Sequence, residues 1–208
     1  MPDYTLYLVT DEPEAYSSNL FDGVDAAIAG GVTMVQYRAT KGSGRFLYET
    51  AKTLGERLRT HGIPLIINDR LDLALAVNAD GLHLGQNDIP VHVARRLIGK
   101  QAILGLSITD PEQLDAVEYD LVDYLGAGPV FSTATKADAA PAIGLEVLAG
   151  ITRRSKVPVV AIGGIHHSNA KAVFDTGVAG LAVVSALSRT ADPTASAHRF
   201  IRAIQGTT

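Results

Sequence analysis

Gln36 and Arg38 stand two residues apart in the apolar run 32–38 (VTMVQYR). On an extended strand that spacing puts both side chains on one face, together with Met34. A guanidinium and a carboxamide pointing together suit an anionic ligand, because the planar fork of Arg matches phosphate oxygens. An exposed Arg paired with a carboxylate is the competing reading of Arg38. Asp69 and Asp88 follow two successive apolar runs, 64–68 (PLIIN) and 81–85 (GLHLG). Two carboxylates from adjacent loops can hold a hard cation such as Mg²⁺, which completes its shell with water and substrate phosphates. Each Asp also has a structural alternative: Asp69 as the cap of a helix starting near Arg70, Asp88 as the opening residue of the helix at Pro90.

Further polar groups recur at the ends of later runs. The segment 128–144 (GPVFSTATKADAAPAIG) is the longest connection in the chain. Ser132, Thr133, Thr135 and Lys136 offer hydroxyls and an ammonium with no acid before Asp138, which suits capture of an oxyanion by a closing loop. A solvated, Ala-rich loop is the alternative. Gly163-Gly164 and Val184-Ser185 end the last two runs, where glycine lets the backbone approach a phosphate closely; a tight turn with positive φ explains the glycines equally well. His83 shares a strand face with Gly81 and Gly85. It reads either as a satisfied core histidine or as a contact from the floor of a site. His166 and His167 read as cap or surface residues. Asp80 lies at a strand entrance and receives no functional role.

These residues need a scaffold that brings run ends together. Eight short apolar runs occur, at 5–10, 32–38, 64–68, 81–85, 103–107, 124–128, 158–164 and 180–186. Most are rich in Val, Ile and Leu, as strands buried on both faces are. Segments with apolar residues at helical spacing lie between them, such as 46–60, and another at 193–204 follows the last run. Strand–helix alternation predicts parallel strands with crossover helices. The repeated handover residues Gly31-Val32, Ala79-Asp80-Gly81, Val122-Asp123-Tyr124 and Val178-Ala179-Gly180 support the count of eight. The expected fold is α/β, a (β/α)₈ TIM barrel forming a single domain over residues 1–208. Such barrels typically have ~250 residues and can manage with ~200. An open doubly wound sheet fits less well, because no phosphate-loop glycine pattern follows the first strand. In a barrel the polar ends (Thr10, Gln36 and Arg38, Asn68-Asp69, Gln86 and Asp88, Ser107, Gly128, Gly163-Gly164, Ser185) gather at the carboxyl mouth, where barrel enzymes place their chemistry.

Composition excludes several function classes. The 208 residues are 47% hydrophobic and 19% charged, as in ordinary globular proteins. A net charge of −4 argues against a general nucleic-acid binder. With no Cys, disulfides, thiolate metal sites and cysteine nucleophiles are ruled out. No apolar run reaches the roughly 20 residues of a bilayer span, and the first residues lack a secretory pattern. A cytoplasmic protein acting on phosphorylated small molecules, without nucleic-acid or membrane partners, is expected. A homo-oligomer is compatible with this reading.

Taken together, the motifs resemble those of thiamine-phosphate synthases along nearly the whole chain. The matching stretches are GGVTMVQYR (30–38), IPLIINDRLDLALAVNADGLHLGQNDIP (63–90), ILGLS (103–107), DYLGAGPVFSTATK (123–136), GLEVL (144–148), VPVVAIGGI (157–165) and GLAVVSAL (180–187). The resemblance implies condensation of a hydroxymethylpyrimidine diphosphate with a thiazole phosphate, or its carboxylated precursor. The products would be thiamine phosphate and pyrophosphate, with Mg²⁺ required. By the same resemblance, Gln36, Tyr37, Arg38, Ala39, Thr40, Lys41, Asn68, His83, Ser107 and Lys136 would bind the pyrimidine diphosphate, with Arg38, Ser107 and Lys136 in catalytic roles. Asp69 and Asp88 would hold Mg²⁺. Thr133, Ala134, Thr135, Gly164, Val184 and Ser185 would bind the thiazole phosphate. One departure stands out: these enzymes usually carry a Lys two residues after the Arg of the second strand, whereas this chain has Thr40 there and Lys41 one later.

Two other readings compete. A thiazole tautomerase would use a histidine for proton transfer and would need no pair of Mg²⁺ carboxylates. A non-catalytic phospho-ligand sensor would keep the phosphate site and could lose the metal pair. Retention of Asp69, Asp88, Thr133, Thr135 and Lys136 favours the synthase.

Overall fold

A computed structural model describes residues 2–39, 41–133 and 140–206. Eight strands run in chain order: β1 (Leu6–Val9), β2 (Met34–Tyr37), β3 (Leu65–Asn68), β4 (Gly81–Leu84), β5 (Ile103–Ile108), β6 (Tyr124–Ala127), β7 (Val159–Ile162) and β8 (Gly180–Val183). Every neighbouring pair is parallel, and β8 pairs with β1 to close the barrel. Seven strands lie inside the apolar runs, and β5 extends one residue past its run. The polar residues at the run ends fall at or just beyond the last ladder residues, where they can serve a ligand.

The helices are α1 (Leu20–Ala29), α2 (Gly44–Thr60), α3 (Leu71–Ala76), α4 (Val91–Ile98), α5 (Gly144–Arg154), α6 (His167–Phe174), α7 (Ser185–Ser188) and α8 (Pro193–Gln205). Side-chain caps fix several starts. Asn19, Ser43 and Asp192 accept from the amides of Asp22, Phe46 and Ala195 at 3.0, 3.2 and 2.8 Å. Pro193 sits in the first turn of α8, where its missing N–H costs nothing. The short β5–β6 connection holds only a 3₁₀ helix, Pro111–Ala116, opened by an Asp110–Gln113 capping box.

Strand alternation divides the core into two layers. Tyr4, Tyr7, Val9, Met34, Ile66, Tyr124, Val160 and Ala182 fill the barrel interior. Leu6, Leu8, Val35, Ile67, Leu82, Leu84 and Leu125 face the helices. The strand entrances carry a repeated device. Thr33 Oγ1, Asp80 Oδ2 and Asp123 Oδ2 accept from the amides of Leu6, Leu65 and Leu104 at 3.2, 2.8 and 2.7 Å. Each side chain at the start of one strand thus satisfies an amide near the start of its neighbour, which accounts for the sequence echo around Asp80 and Asp123. Asp80 is a structural residue of the amino face.

The helices also offer a stability test. Gly150 lies within α5, and among the described residues nothing beyond its own helix backbone comes within 4 Å of the place its Cβ would occupy. Gly150→Ala therefore removes backbone entropy from the unfolded chain without a clash. It should raise stability by about 0.5–1 kcal/mol, read as a rise of ~1–4 °C in a thermal melt.

Candidate active site

A cavity of about 1520 Å³ opens at the carboxyl ends of the strands. From the β2–β5 side it is lined by Gln36, Arg38, Asn68, Asp69, His83, Asp88 and Ser107, and from the β6–β8 side by Thr133, Gly164, Val184 and Ser185. Strand parity explains which part of the 36–41 block reaches it. Gln36 and Arg38 point inward, whereas Tyr37 is buried in the outer layer against the helices and Ala39 packs on that same layer. Lys41 is exposed on the surface. Tyr37, Ala39 and Lys41 thus do not line the cavity, contrary to the expectation for that block. Thr40, Ala134, Thr135 and Lys136 lie outside the described residues.

Asp69 and Asp88 are held in ways that set aside the helix-cap alternative. Asp69 has φ 59°, a left-handed conformation that Asp tolerates better than most residues. Its amide donates to His83 O at 2.8 Å, and the next amide, of Arg70, donates to Asn68 O at 2.6 Å. This turn breaks strand alternation, so consecutive residues Asn68 and Asp69 both line the cavity. Helix α3 has no side-chain cap; its first turn is instead flanked by the Arg70–Asp72 ion pair, with bonds of 2.8 and 2.6 Å. Asp88 Oδ2 accepts from the Gly85 amide at 2.6 Å, and α4 likewise lacks a side-chain cap. A side chain at Gly85 would crowd that oxygen, since its Cβ would lie 3.1 Å away. The carboxylates that could hold a cation here are therefore Asp69 and Asp88, delivered by neighbouring strands β3 and β4.

The floor is a buried hydrogen-bonded chain. Gln36 Nε2 donates to Tyr7 Oη at 3.0 Å, and Tyr7 Oη lies 2.9 Å from Tyr124 Oη. Tyr124 Oη is 2.8 Å from His83 Nδ1, and His83 Nε2 is 2.9 Å from Ser107 Oγ. Burial lowers the His83 pKa to about 4, against a smaller opposing pull from Asp88, so the ring is neutral at physiological pH. Burial pushes both tyrosine hydroxyls far above their usual range, so they stay protonated. His83 is thus satisfied within the protein and lines the cavity as well. Tyr7 and Tyr124 were not legible as site residues, because a Tyr inside an apolar run reads as core. The available signal was Gly105 and Gly126, which face the aromatic floor. A Cβ at Gly105 would collide with Tyr124 and His83, and one at Gly126 would sit 2.9 Å from His83 Cε1.

Opposite the carboxylates, the end of β7 turns through Gly163 and Gly164, with φ 99° and 65°. A Cβ on Gly164 would meet Phe131 Cβ at 2.7 Å and Ser132 O at 2.9 Å. Asn169 braces this turn: its Nδ2 donates to Gly164 O at 2.9 Å and its Oδ1 accepts from the His166 amide at 2.8 Å. His166 caps α6, as expected, while His167 bonds Ser196 Oγ at 2.9 Å and stacks near Phe200. Sequence reasoning also passed over Arg189, whose Nε donates at 2.8 Å to the buried Asp11 as its side chain lines the rim. Gln86, noted only as a strand-end residue, donates from Nε2 to Ser107 O at 2.6 Å.

The closed parallel barrel, with an arginine, two carboxylates and glycine turns converging at its carboxyl mouth, has the architecture of the (β/α)₈-barrel enzymes. Comparisons with known proteins narrow that class. The family model described as Thiamine monophosphate synthase matches residues 6–187. A thiamine-phosphate synthase of Syntrophomonas wolfei subsp. wolfei is 52% identical over 198 residues, 95% of each chain. A thiamine-phosphate synthase of Laribacter hongkongensis is 48% identical, covering 100% of this chain and 98% of its own. The solved thiamine phosphate pyrophosphorylase from Pyrococcus furiosus superposes with a TM-score of 0.86 at 38% identity, covering 98% of this chain and 96% of that one. The chain belongs to the thiamine monophosphate synthase family and is a transferase of that class. Among the described residues no helix is long and apolar enough to cross a membrane.

Proposed function

We propose that this chain joins a hydroxymethylpyrimidine diphosphate to a thiazole phosphate, releasing pyrophosphate, or to its carboxylated precursor, releasing pyrophosphate and CO₂. The observation that carries this reading is the two-sided cavity: Gln36, Arg38, Asn68, Ser107 and two carboxylates on one wall, the Gly164 and Ser185 turns on the other. One wall suits a diphosphate with its cation, and the other a monophosphate. In the reaction the C–O bond to pyrophosphate breaks and its electron pair leaves with the pyrophosphate. The aminopyrimidine ring stabilises the resulting benzylic-type cation. The thiazole nitrogen then donates its lone pair to form the new C–N bond. No protein nucleophile is required, in keeping with a chain that has no Cys.

The protein's part is alignment and charge neutralisation. Arg38 would fork onto the diphosphate, and Lys136 would add a second cation from the 128–144 loop. Ser107 and Asn68 would position the pyrimidine diphosphate. The turn braced by Asn169, together with Thr133, Thr135, Val184 and Ser185, would hold the thiazole phosphate. The donor set fits Mg²⁺: both residues are hard carboxylates in the loops that follow adjacent strands, and the Gly85 amide occupies only one oxygen of Asp88. When bound, Mg²⁺ would neutralise charge on the departing pyrophosphate. His83 has both ring nitrogens engaged inside the barrel, which suits a floor residue better than the proton shuttle of a tautomerase.

Two measurements follow. Pyrophosphate release should require both substrates; release from the pyrimidine diphosphate alone would show a hydrolase, and no release would remove the synthase reading. Arg38→Ala should lower kcat/KM about 100-fold, with the loss on varying the pyrimidine diphosphate larger than on varying the thiazole phosphate. Equal losses for the two substrates would displace Arg38 from the diphosphate.

A further inference from the structure

The hydrogen-bonded floor has a property that its distances alone do not state. Every link runs between groups with one mobile proton or a fixed role, so the direction of one bond dictates the next. Gln36 Nε2 is a donor and gives its hydrogen to Tyr7 Oη. The Tyr7 hydroxyl is fully buried, and among the described residues its proton has one acceptor within reach, Tyr124 Oη. Leaving a buried hydroxyl proton unpaired is costly, so Tyr7 donates to Tyr124. Tyr124 is equally buried and passes its own proton to His83 Nδ1. A neutral imidazole carries one N–H. It must therefore sit on Nε2, which donates to Ser107 Oγ. Ser107, at the cavity wall, is left with its own hydroxyl proton to give away.

We infer that Gln36, Tyr7, Tyr124, His83 and Ser107 form a one-directional relay that presents Gln36 Oε1 to the cavity as an acceptor and Ser107 Oγ–H as a donor, with Tyr7 and Tyr124 as its positioning residues. The inference rests on the proposed reading that this wall receives the pyrimidine diphosphate. An exocyclic amino group is a donor and needs the acceptor end; a diphosphate oxygen is an acceptor and needs the donor end. The relay makes the two ends complementary by construction. Reversing any link reverses all of them and offers the substrate a donor where it has a donor and an acceptor where it has an acceptor. The interior glycines Gly105 and Gly126 belong to the same device, because they leave room for Tyr124 and His83 to meet in line.

The test reads the His83 tautomer directly. Protein labelled with ¹⁵N at histidine distinguishes protonated from bare ring nitrogens by NMR, and His83→Asn identifies its resonances among the six histidines. Without substrate, the expected state is Nε2–H with bare Nδ1. Gln36→Glu, studied at alkaline pH where the new side chain is a pure acceptor, should invert the chain and move the proton to Nδ1. Tyr124→Phe keeps the ring and cuts the chain, so the Gln36→Glu inversion should vanish in the double variant. In the single Tyr124→Phe variant, kcat/KM for the pyrimidine diphosphate should fall about tenfold. An Nδ1–H tautomer in the unaltered protein, or a tautomer that ignores Gln36→Glu, would overturn the relay. The tautomer is read without turnover, so an inactive protein would count against the proposed reaction and not against the relay.

Discussion

Exchanging Asp69 for asparagine is expected to cut turnover by about 10²–10³-fold while changing stability by less than about 1 kcal/mol. The substitution is chosen for its backbone. Asp69 adopts φ 59°, and asparagine accepts that conformation at least as readily. The turn that holds the Asp69 amide on His83 O should therefore persist. What disappears is the negative charge on one of the two carboxylates proposed to hold Mg²⁺. Asp69→Ala should show the same loss of turnover plus about 1–2 kcal/mol of destabilisation from the left-handed backbone. A steady-state assay and a thermal melt on both variants separate the two effects. Full activity of Asp69→Asn at saturating Mg²⁺ would remove Asp69 from the cation site.

Gly105→Ala is expected to damage the barrel floor through a single methyl. Gly105 lies on β5, paired with β4 and β6, and its Cβ would collide with the buried Tyr124 ring and His83 Nδ1 on those neighbours. Neither side chain can retreat, because each is fixed by hydrogen bonds to the next member of the floor. Overpacking of this kind costs about 3 kcal/mol, a fall of ~6–12 °C in melting temperature for a chain of this size. Gly150→Ala is the matched control, since the same methyl there enters open space. A Gly105→Ala protein that melts with the unaltered one would mean that the floor is loosely packed.

The barrel was legible because its two periodicities are simple. Eight apolar runs alternate with helical segments, and each run ends in polar residues or glycine on the same side. Parity was legible as well: Gln36 and Arg38 face inward with Met34, and His83 faces inward between Gly81 and Gly85. Tyr37 shows the cost of ignoring parity. Family resemblance carried residues 36–41 over as a block, whereas the alternation of β2 puts Tyr37 against the helices. The choice between cap and cation ligand for Asp69 and Asp88 was not open to sequence reasoning, because both roles ask for an Asp at the same loop position. Backbone geometry speaks only against the cap, through the left-handed turn at Asp69 and the Gly85–Asp88 bond, and the cation role is the one we propose. Tyr7 and Tyr124 stayed hidden because their partners come from other strands, and nothing local marks a tyrosine whose hydroxyl meets another across a barrel.

Formation of thiamine phosphate is the most direct test of the central claim. Purified protein would be mixed with the pyrimidine diphosphate, the thiazole phosphate and Mg²⁺, and the product oxidised to its fluorescent thiochrome derivative for quantification. The account predicts product that disappears when EDTA is added and returns with excess Mg²⁺. No product from the two substrates, or product formed undiminished in EDTA, would contradict a Mg²⁺-assisted condensation at this barrel mouth.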